Sequence, residues 1–427
     1  MEKELKIGIF TTWLTSWNGG VDFLRHQLNA LSEIAEKESV KIYIFSPKRP
    51  NPFLYKLSLL IKILCKTLIG KDSKKSIEKL KSVHFDIVKQ FSYLKNHHQI
   101  HFISYRKNKD LAVTITKEKI NVTFFGDKEI ANIPNIFYYP DFQHKHLTEF
   151  FSAEEIANRD ASLLNLLKIP RTILLNSQNA QDDLKKFFSD SCKECEIISL
   201  PYSPMILQNE WLEDLKEKSG IDVIEKYNLP KRYFLISNQF WIHKSHITAF
   251  EALSFLTKDQ NFSDVMIICT GLQQDYRFVD YFKNLVEKTK NLGVDNKISY
   301  LGLIPKREQI EIMKKSIAII QPTLFEGDPG GGSYYDAVSI GVPAIISDIA
   351  VNLEAQGEKN TLFFKTKDSQ DLKEKMQLAL TTKFEKFSKE QLLEKSKMRA
   401  KKHGLALLKI AKLCQNINLY SKPAKDF

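Results

Sequence analysis

The chain of 427 residues exceeds what one hydrophobic core usually serves, so two domains are expected. With 43% hydrophobic and 27% charged residues it has the composition of an ordinary globular protein, which excludes a disordered or low-complexity chain. The formal charge of +12 is spread along the chain without a zinc-finger, RRM-like or helix-turn-helix pattern, so phosphate-bearing substrates or an anionic membrane surface are expected as partners rather than nucleic acid.

The start, MEKELKIGIF, leads almost directly into a strand-like run and lacks the apolar core and cleavage site of a secretory signal. Strands are expected near 6–11, 40–45, 99–104, 121–125, 135–139, 172–176 and 196–200. Val21, Leu24, Leu28, Leu31 and Ile34 recur at helical spacing, which makes 22–36 a crossover helix. The segment PFLYKLSLLIKILCKTLIGK at 52–71 sets Lys56, Lys62, Lys66 and Lys71 against a leucine–isoleucine face. It is too short and too charged to span a bilayer, and either lies on an anionic surface or forms a buried crossover helix. The five cysteines, at 65, 192, 195, 269 and 414, are scattered as in a reducing compartment. Cys192 and Cys195 form an isolated C-x-x-C, read as two incidental thiols at a helix end. A cytoplasmic location follows, with peripheral attachment to the inner membrane as its variant.

After a polar, helix-prone connector at 201–230 the alternation restarts. Strands are expected near 233–237, 265–270, 298–301, 317–321, 344–347 and 361–364, with helices near 245–256, 279–290, 307–315 and 333–340. A lysine-rich helical tail at 388–417 closes the chain, and Ser388 and Gln391 are spaced as a capping box. Strands alternating with helices imply parallel, doubly wound α/β sheets. Two such sheets in succession are read as two Rossmann-like domains facing across a cleft, where sheets of this kind bind ligands.

The segment IAIIQPTLFEGDPGGGSYYDAVSIGVPAIIS, 317–347, carries the chemistry. It reads as strand, loop, glycine-rich turn, helix, then Gly-Val-Pro into another strand. Gly330, Gly331 and Gly332 stand just before the helix, with Ser333 as its N-cap. Glycines there let backbone N–H groups approach an anion, and the helix N-terminus adds partial positive charge, so a diphosphate is the expected guest. Glu326 at the strand exit and Asp336 on the first helical turn bracket the loop. Either acid alone reads as a turn or helix-start residue. Together with the glycines they suit the hydroxyls of a sugar or ribose.

This segment resembles retaining glycosyltransferase family 4, whose members have the GT-B fold with a C-terminal helix crossing back to the first domain. The Glu-Gly at 326–327, Asp-Ala at 336–337 and Gly-Val-Pro at 341–343 match the family signature in order. Nine residues separate the two acids where the family has seven, and the second acid is Asp rather than Glu. The resemblance implies an acceptor-binding domain at 1–205, a donor-binding domain at 206–400 and a crossing helix at 401–427. It also implies that Asp336 holds the nucleotide ribose and Glu326 the donor sugar, with Asp328 able to substitute for part of either role.

Further positions follow from the same resemblance. Lys244 falls where the family places a diphosphate-binding lysine. The companion arginine position is occupied near Asn238 and Gln239, and Arg277 is the candidate to restore the charge. Gly19-Gly20 matches the N-terminal turn near the donor phosphates, with Trp13 and Trp17 in the same loop either stacking on an acceptor or packing between domains. His144, with His146 in reserve, matches the histidine near the donor sugar. No Asp-x-Asp occurs, so neither metal nor cofactor is expected. The implied reaction is hexose transfer with retention, from a nucleotide-diphosphate sugar to a saccharide or lipid-linked saccharide in surface-polysaccharide assembly. GDP-mannose is preferred from similarity to polysaccharide mannosyltransferases. The alternatives are a GT-B-fold epimerase and a non-catalytic sugar- or nucleic-acid-binding protein.

Overall fold

A computed structural model describes residues 4–16, 18–48, 60–62, 64, 90–127, 130, 132–169, 171–201 and 203–416. The amphipathic segment at 52–71 therefore lies outside the described residues except for 60–62 and 64, and Trp17 and Cys65 lie outside them altogether. No helix among the described residues is long and apolar enough to cross a membrane.

Among the described residues, thirteen strands form two sheets. The first contains β1 (Leu5–Phe10), β2 (Val40–Pro47), β3 (Ile100–Tyr105), β4 (Val122–Phe124), β5 (Asn135–Tyr138), β6 (Thr172–Leu175) and β7 (Glu196–Ser199), in the order β3-β2-β1-β4-β5-β6-β7. The second contains β8 (Tyr233–Ser237), β9 (Met266–Thr270), β10 (Ile298–Gly302), β11 (Ile319–Gln321), β12 (Ala344–Ser347) and β13 (Thr361–Phe364), in the order β10-β9-β8-β11-β12-β13. Ile7 is in register with Ile42 on one side and Val122 on the other, all parallel. In the second sheet Leu235 is likewise flanked by Ile268 and Ile319. Both orders reverse direction beside the first strand of the sheet, and loops leaving the two central strands diverge there to leave a crevice.

By compactness the chain divides into two units, Met1–Tyr138 with Arg171–Ile173 and Ala400–Phe427, and Tyr139–Pro170 with Leu174–Arg399. In the first, Phe10, Phe45, Leu111, Ile115 and Ile120 pack between the sheet and the helix α2 (Asn108–Glu118). The crossover helix α1 (Asn18–Ala35) begins earlier than the apolar periodicity indicates and contains Gly19 and Gly20 in its first turn. Gly20 is obligatory, because a Cβ would lie 2.1 Å from Leu14 O. The Trp13 indole donates to Phe125 O at 3.1 Å and stacks 5.5 Å from Tyr138, so it packs within this unit.

The second unit includes the helices α3 (Ala153–Leu167), α4 (Gln178–Phe188), α5 (His246–Leu256), α6 (Tyr281–Asn291), α7 (Lys306–Lys315), α8 (Gly331–Ser339) and α9 (Ser369–Thr381). Phe234, Ile236, Ile267, Ile320 and Ile345 of its sheet are closed over by Phe250, Leu253, Leu285, Leu372 and Met376. Burial on both faces explains why these strands read as continuous apolar runs rather than alternating ones.

The last helix, α10, spans Lys389–Asn416. Ser388 and Gln391 form the expected capping box, with Ser388 N donating to Gln391 Oε1 at 2.8 Å and Gln391 N to Ser388 Oγ at 3.2 Å. From Ala400 onward it belongs with the first unit and packs on α1. A Cβ at Gly404 would fall 2.2 Å from Ala30 O, and His403 Nε2 lies 3.0 Å from Gln27 Oε1.

Candidate active site

In the second sheet the direction reverses between β8 and β11, and the loops leaving those two strands carry most of the residues singled out above. After β8 the chain turns through 238–241 into a 3-10 turn, Ile242–Lys244, and then enters α5. Asp275 fixes this turn by accepting from Ile242 N at 3.0 Å. Leu324 N donates to His243 O at 2.8 Å, which ties the turn to the loop after β11. Lys244 Nζ thereby reaches Glu326 Oε1 at 2.6 Å, with both side chains mostly buried.

The loop between β11 and α8 is held from below by buried amides. Gly330 N donates to Asn352 Oδ1 at 2.8 Å, and Asn352 Nδ2 donates to Ser347 O at 2.9 Å. Gln321 Nε2 donates to Gly330 O at 3.2 Å, while its Oε1 accepts from Asn238 Nδ2. Asn238, near the position where the resemblance expects an arginine, thus buttresses the glycine turn. The close approach behind it demands Gly271, where φ is +128° and a Cβ would sit 2.1 Å from Asn238 O. Gln239 accepts from Trp241 N at 2.8 Å through its carbonyl.

Two sequence expectations need correction at α8. Its N-cap is Gly330, in the left-handed region at φ +74°, and Ser333 lies inside the helix rather than at its cap. The cause is the paired left-handed glycines, with Gly331 at φ +71°, which start the helix before the serine is reached. Asp336 consequently falls in the second turn, not the first. The Ser333 hydroxyl is buried with no hydrogen-bond partner among the described residues. Gly331 backs onto the Glu326 carboxylate, whereas a Cβ at Gly332 would meet nothing within 4 Å.

Asp336 is paired with Lys306 of α7, whose ammonium also stands 5.6 Å from the centre of the Trp211 ring. Arg277 does not join the Lys244 cluster as a free cation. Its side chain is 6% exposed, its Nε is 3.5 Å from Asp275 Oδ1, and its guanidinium lies 4.7 Å from the Phe151 ring and 5.3 Å from Tyr276. His144 is fully buried, with Nε2 3.0 Å from Asp160 Oδ1, and desolvation lowers its pKa. The reserve, His146, touches the loop that carries Glu326 through Phe325. Its ring is 5.4 Å from Phe325, next to Glu326, and its Nε2 is 2.7 Å from Asp183 Oδ2. Gly20 belongs to the first unit and the loop residues above to the second. Lys306, Gln321 and Asn352 escape sequence reasoning, since no spacing rule links them to the loop they support.

Residues 220–402 match the family model for glycosyl transferases group 1. This stretch is therefore similar to group 1 glycosyltransferases. It contains β8 to β13, the Lys244 turn and the glycine loop, and it bears out the expectation of a transferase enzyme. No curated protein matches the chain in sequence. Among solved structures, a glycosyltransferase from Rickettsia africae is similar at TM-score 0.57 and 14% identity, covering 97% of this chain and 100% of the other. Sucrose-phosphate synthase from Thermosynechococcus elongatus follows at TM-score 0.56 and 10% identity, covering 96% and 98%. HepE of Anabaena, in complex with UDP and glucose, gives TM-score 0.54 and 14% identity, covering 97% and 100%. At such identities the likeness establishes the fold, which is the expected GT-B class with two Rossmann-like sheets and a terminal helix packed on α1.

Proposed function

We propose that the glycosyltransferase transfers a hexose, with retention, from a nucleotide-diphosphate sugar to a saccharide hydroxyl. The observation that carries this reading is the Lys244–Glu326 pair at the mouth of a loop that ends in α8. A diphosphate suits the start of α8, where backbone N–H groups and the unpartnered Ser333 hydroxyl supply donors to an anion. Lys244 then exchanges Glu326 for phosphate and meets the charge that develops as the nucleotide leaves. Released, the Glu326 carboxylate accepts from the hydroxyls of the sugar.

Asp336 is assigned to the ribose, and its ion pair with Lys306 holds that shorter acid in place. His146 is preferred to His144 near the donor sugar because it neighbours Phe325. Arg277 is assigned to shaping the Trp241 turn rather than to phosphate. The reaction is proposed to need no metal, with Lys244 and the helix start carrying the electrostatics, so chelation should leave the rate unchanged. For the acceptor, Thr12, Trp13, Tyr105 and Asp127 line a notch of about 60 Å³ at the carboxyl edge of the first sheet. Its mixture of aromatic walls and hydroxyls suits a sugar, and a lipid-linked saccharide remains the proposed class.

Two donors are to be compared, GDP-mannose from the sequence resemblance and UDP-glucose from the UDP and glucose held by HepE. Transfer and donor hydrolysis are measured for the native chain and for Lys244→Ala. The variant should lose about 10²-fold or more in turnover. Unchanged turnover would remove Lys244 from the mechanism.

A further inference from the structure

At the carboxyl end of α8, the end opposite the glycine loop, a recess of about 300 Å³ lies between α8, α10 and the turn before β13. Val338, Val342, Phe387 and Leu392 give it apolar walls. Leu392, Lys395, Ser396 and Arg399 recur at spacings of three and four, so one face of α10 turns toward it. Across from that face runs the Gly-Val-Pro turn. Gly341 takes φ +77° there, and a Cβ on it would lie 3.3 Å from both Leu392 and Phe387.

Most polar side chains of the recess are already engaged. Lys359 Nζ is 2.7 Å from Glu385 Oε2. Arg399 spends one nitrogen on Glu358 Oε2 at 2.6 Å and another on Pro204 O at 3.1 Å. Ser339 Oγ donates to Asp336 O at 2.8 Å, and the Asn360 amide exchanges hydrogen bonds with the Glu385 backbone. Lys395 and Ser396 differ. Among the described residues Lys395 pairs with no carboxylate, and its ammonium stands 3.5 Å from the centre of the Phe387 ring. Ser396 Oγ accepts from Ile206 N at 2.8 Å, and its own proton has no acceptor among the described residues.

We propose that the recess binds a small carboxylate with an apolar body, its oxygens on Lys395 and Ser396 and its body against Val338, Val342 and Leu392. A cation that faces a recess without a counter-charge draws an anion. The balance favours a single negative charge, because Lys359 and Arg399 are already compensated and the carboxyl end of α8 adds partial negative charge. A phosphate monoester, with nearly two charges at neutral pH, exceeds it. The volume is that of about ten water molecules, which suits a guest of about ten non-hydrogen atoms. The nine residues of α8 put about 13 Å between this recess and the glycine loop, so the guest is not the sugar donor.

Benzoate serves as the probe, with benzyl alcohol as its uncharged counterpart and inorganic phosphate as an anion without an apolar body. Calorimetric titration of the full chain should give a benzoate dissociation constant on the order of 1 mM. Benzyl alcohol and phosphate should each bind about tenfold more weakly. Lys395→Gln, which breaks no ion pair, should lose about tenfold in benzoate affinity, while Lys395→Arg keeps the charge and should retain it. Lys397→Gln removes the same charge from an exposed position outside the recess and should bind like the native chain. Failure of benzoate to bind, phosphate binding as tightly as benzoate, or an unaltered affinity in Lys395→Gln overturns the proposal. So does equal weakening in Lys397→Gln, which would mark a diffuse attraction, or displacement of benzoate by UDP-glucose, which would put it in the donor site.

Discussion

A methyl group at Gly330 would lie 2.4 Å from the Tyr334 ring, on a backbone at φ +74° that side chains rarely adopt. At Gly332 the same methyl meets open space. Gly330→Ala is therefore expected to destabilise the protein by more than about 1 kcal/mol. Gly332→Ala should fold as well as the native chain, helped by about 0.5–1 kcal/mol of helix preference. If phosphate occupies the start of α8, that added methyl weakens donor binding without loss of stability. Urea unfolding and donor titration on the two variants separate these effects, and a Gly332→Ala protein with native donor affinity would argue against phosphate there. The motif was readable in the chain because its acids and glycines are contiguous. The difference between its glycines was not, because it depends on Tyr334, Glu326 and Asn352 closing in from three directions. The ground for preferring His146 to His144 was equally hidden, since it depends on Phe325, far off in the chain, standing beside His146.

Among elements, strands were the legible part. Runs such as Tyr233–Ser237 and Ala344–Ser347 are apolar on both faces and bounded by polar segments, so their limits are marked in the sequence itself. Helix α3 was harder, because only Leu163 and Leu167 are fully buried along it. The terminal helix α10 tests how closely two helices can approach. Gly404→Ala would gain up to about 1 kcal/mol of helix propensity in isolation. Here the added carbon meets the Ala30 carbonyl at 2.2 Å, so the helices must separate. A net loss of about 1–3 kcal/mol is expected. Chemical denaturation showing equal or higher stability would mean that α10 does not rest on α1 at this point.

Across the whole molecule, buried histidines set the response to acid. His246 stacks 4.3 Å from Phe240, and His403 lies on Gln27; burial lowers each to about 3. His243 is likewise held well below its ordinary value by burial and by Lys244. Unfolded histidine titrates near 6.5, so the stabilisation is fully present above that pH and declines as the pH falls toward 3. His246 and His403 each contribute a slope of about 1.4 kcal/mol per pH unit within that window. Unfolding free energies at pH 5, 6 and 7 should show this loss, and His246→Phe should remove one histidine's share of the slope. A slope unaltered by that substitution would count against a neutral, buried His246.

The Lys244–Glu326 pair has a consequence for selectivity among bystander anions. A lysine beside a helix start would ordinarily attract inorganic phosphate or any free nucleotide. Here an incoming anion must first displace a carboxylate held at 2.6 Å, and a small ion brings too few other contacts to do so. A guest that also engages α8 and gives Glu326 new hydroxyl partners meets no such barrier. The same carboxylate can reclaim the lysine once the sugar has gone, which hastens departure of the spent nucleotide. In the proposed mechanism, Glu326 is thus a tethered competitor, filtering what enters and helping to clear what remains.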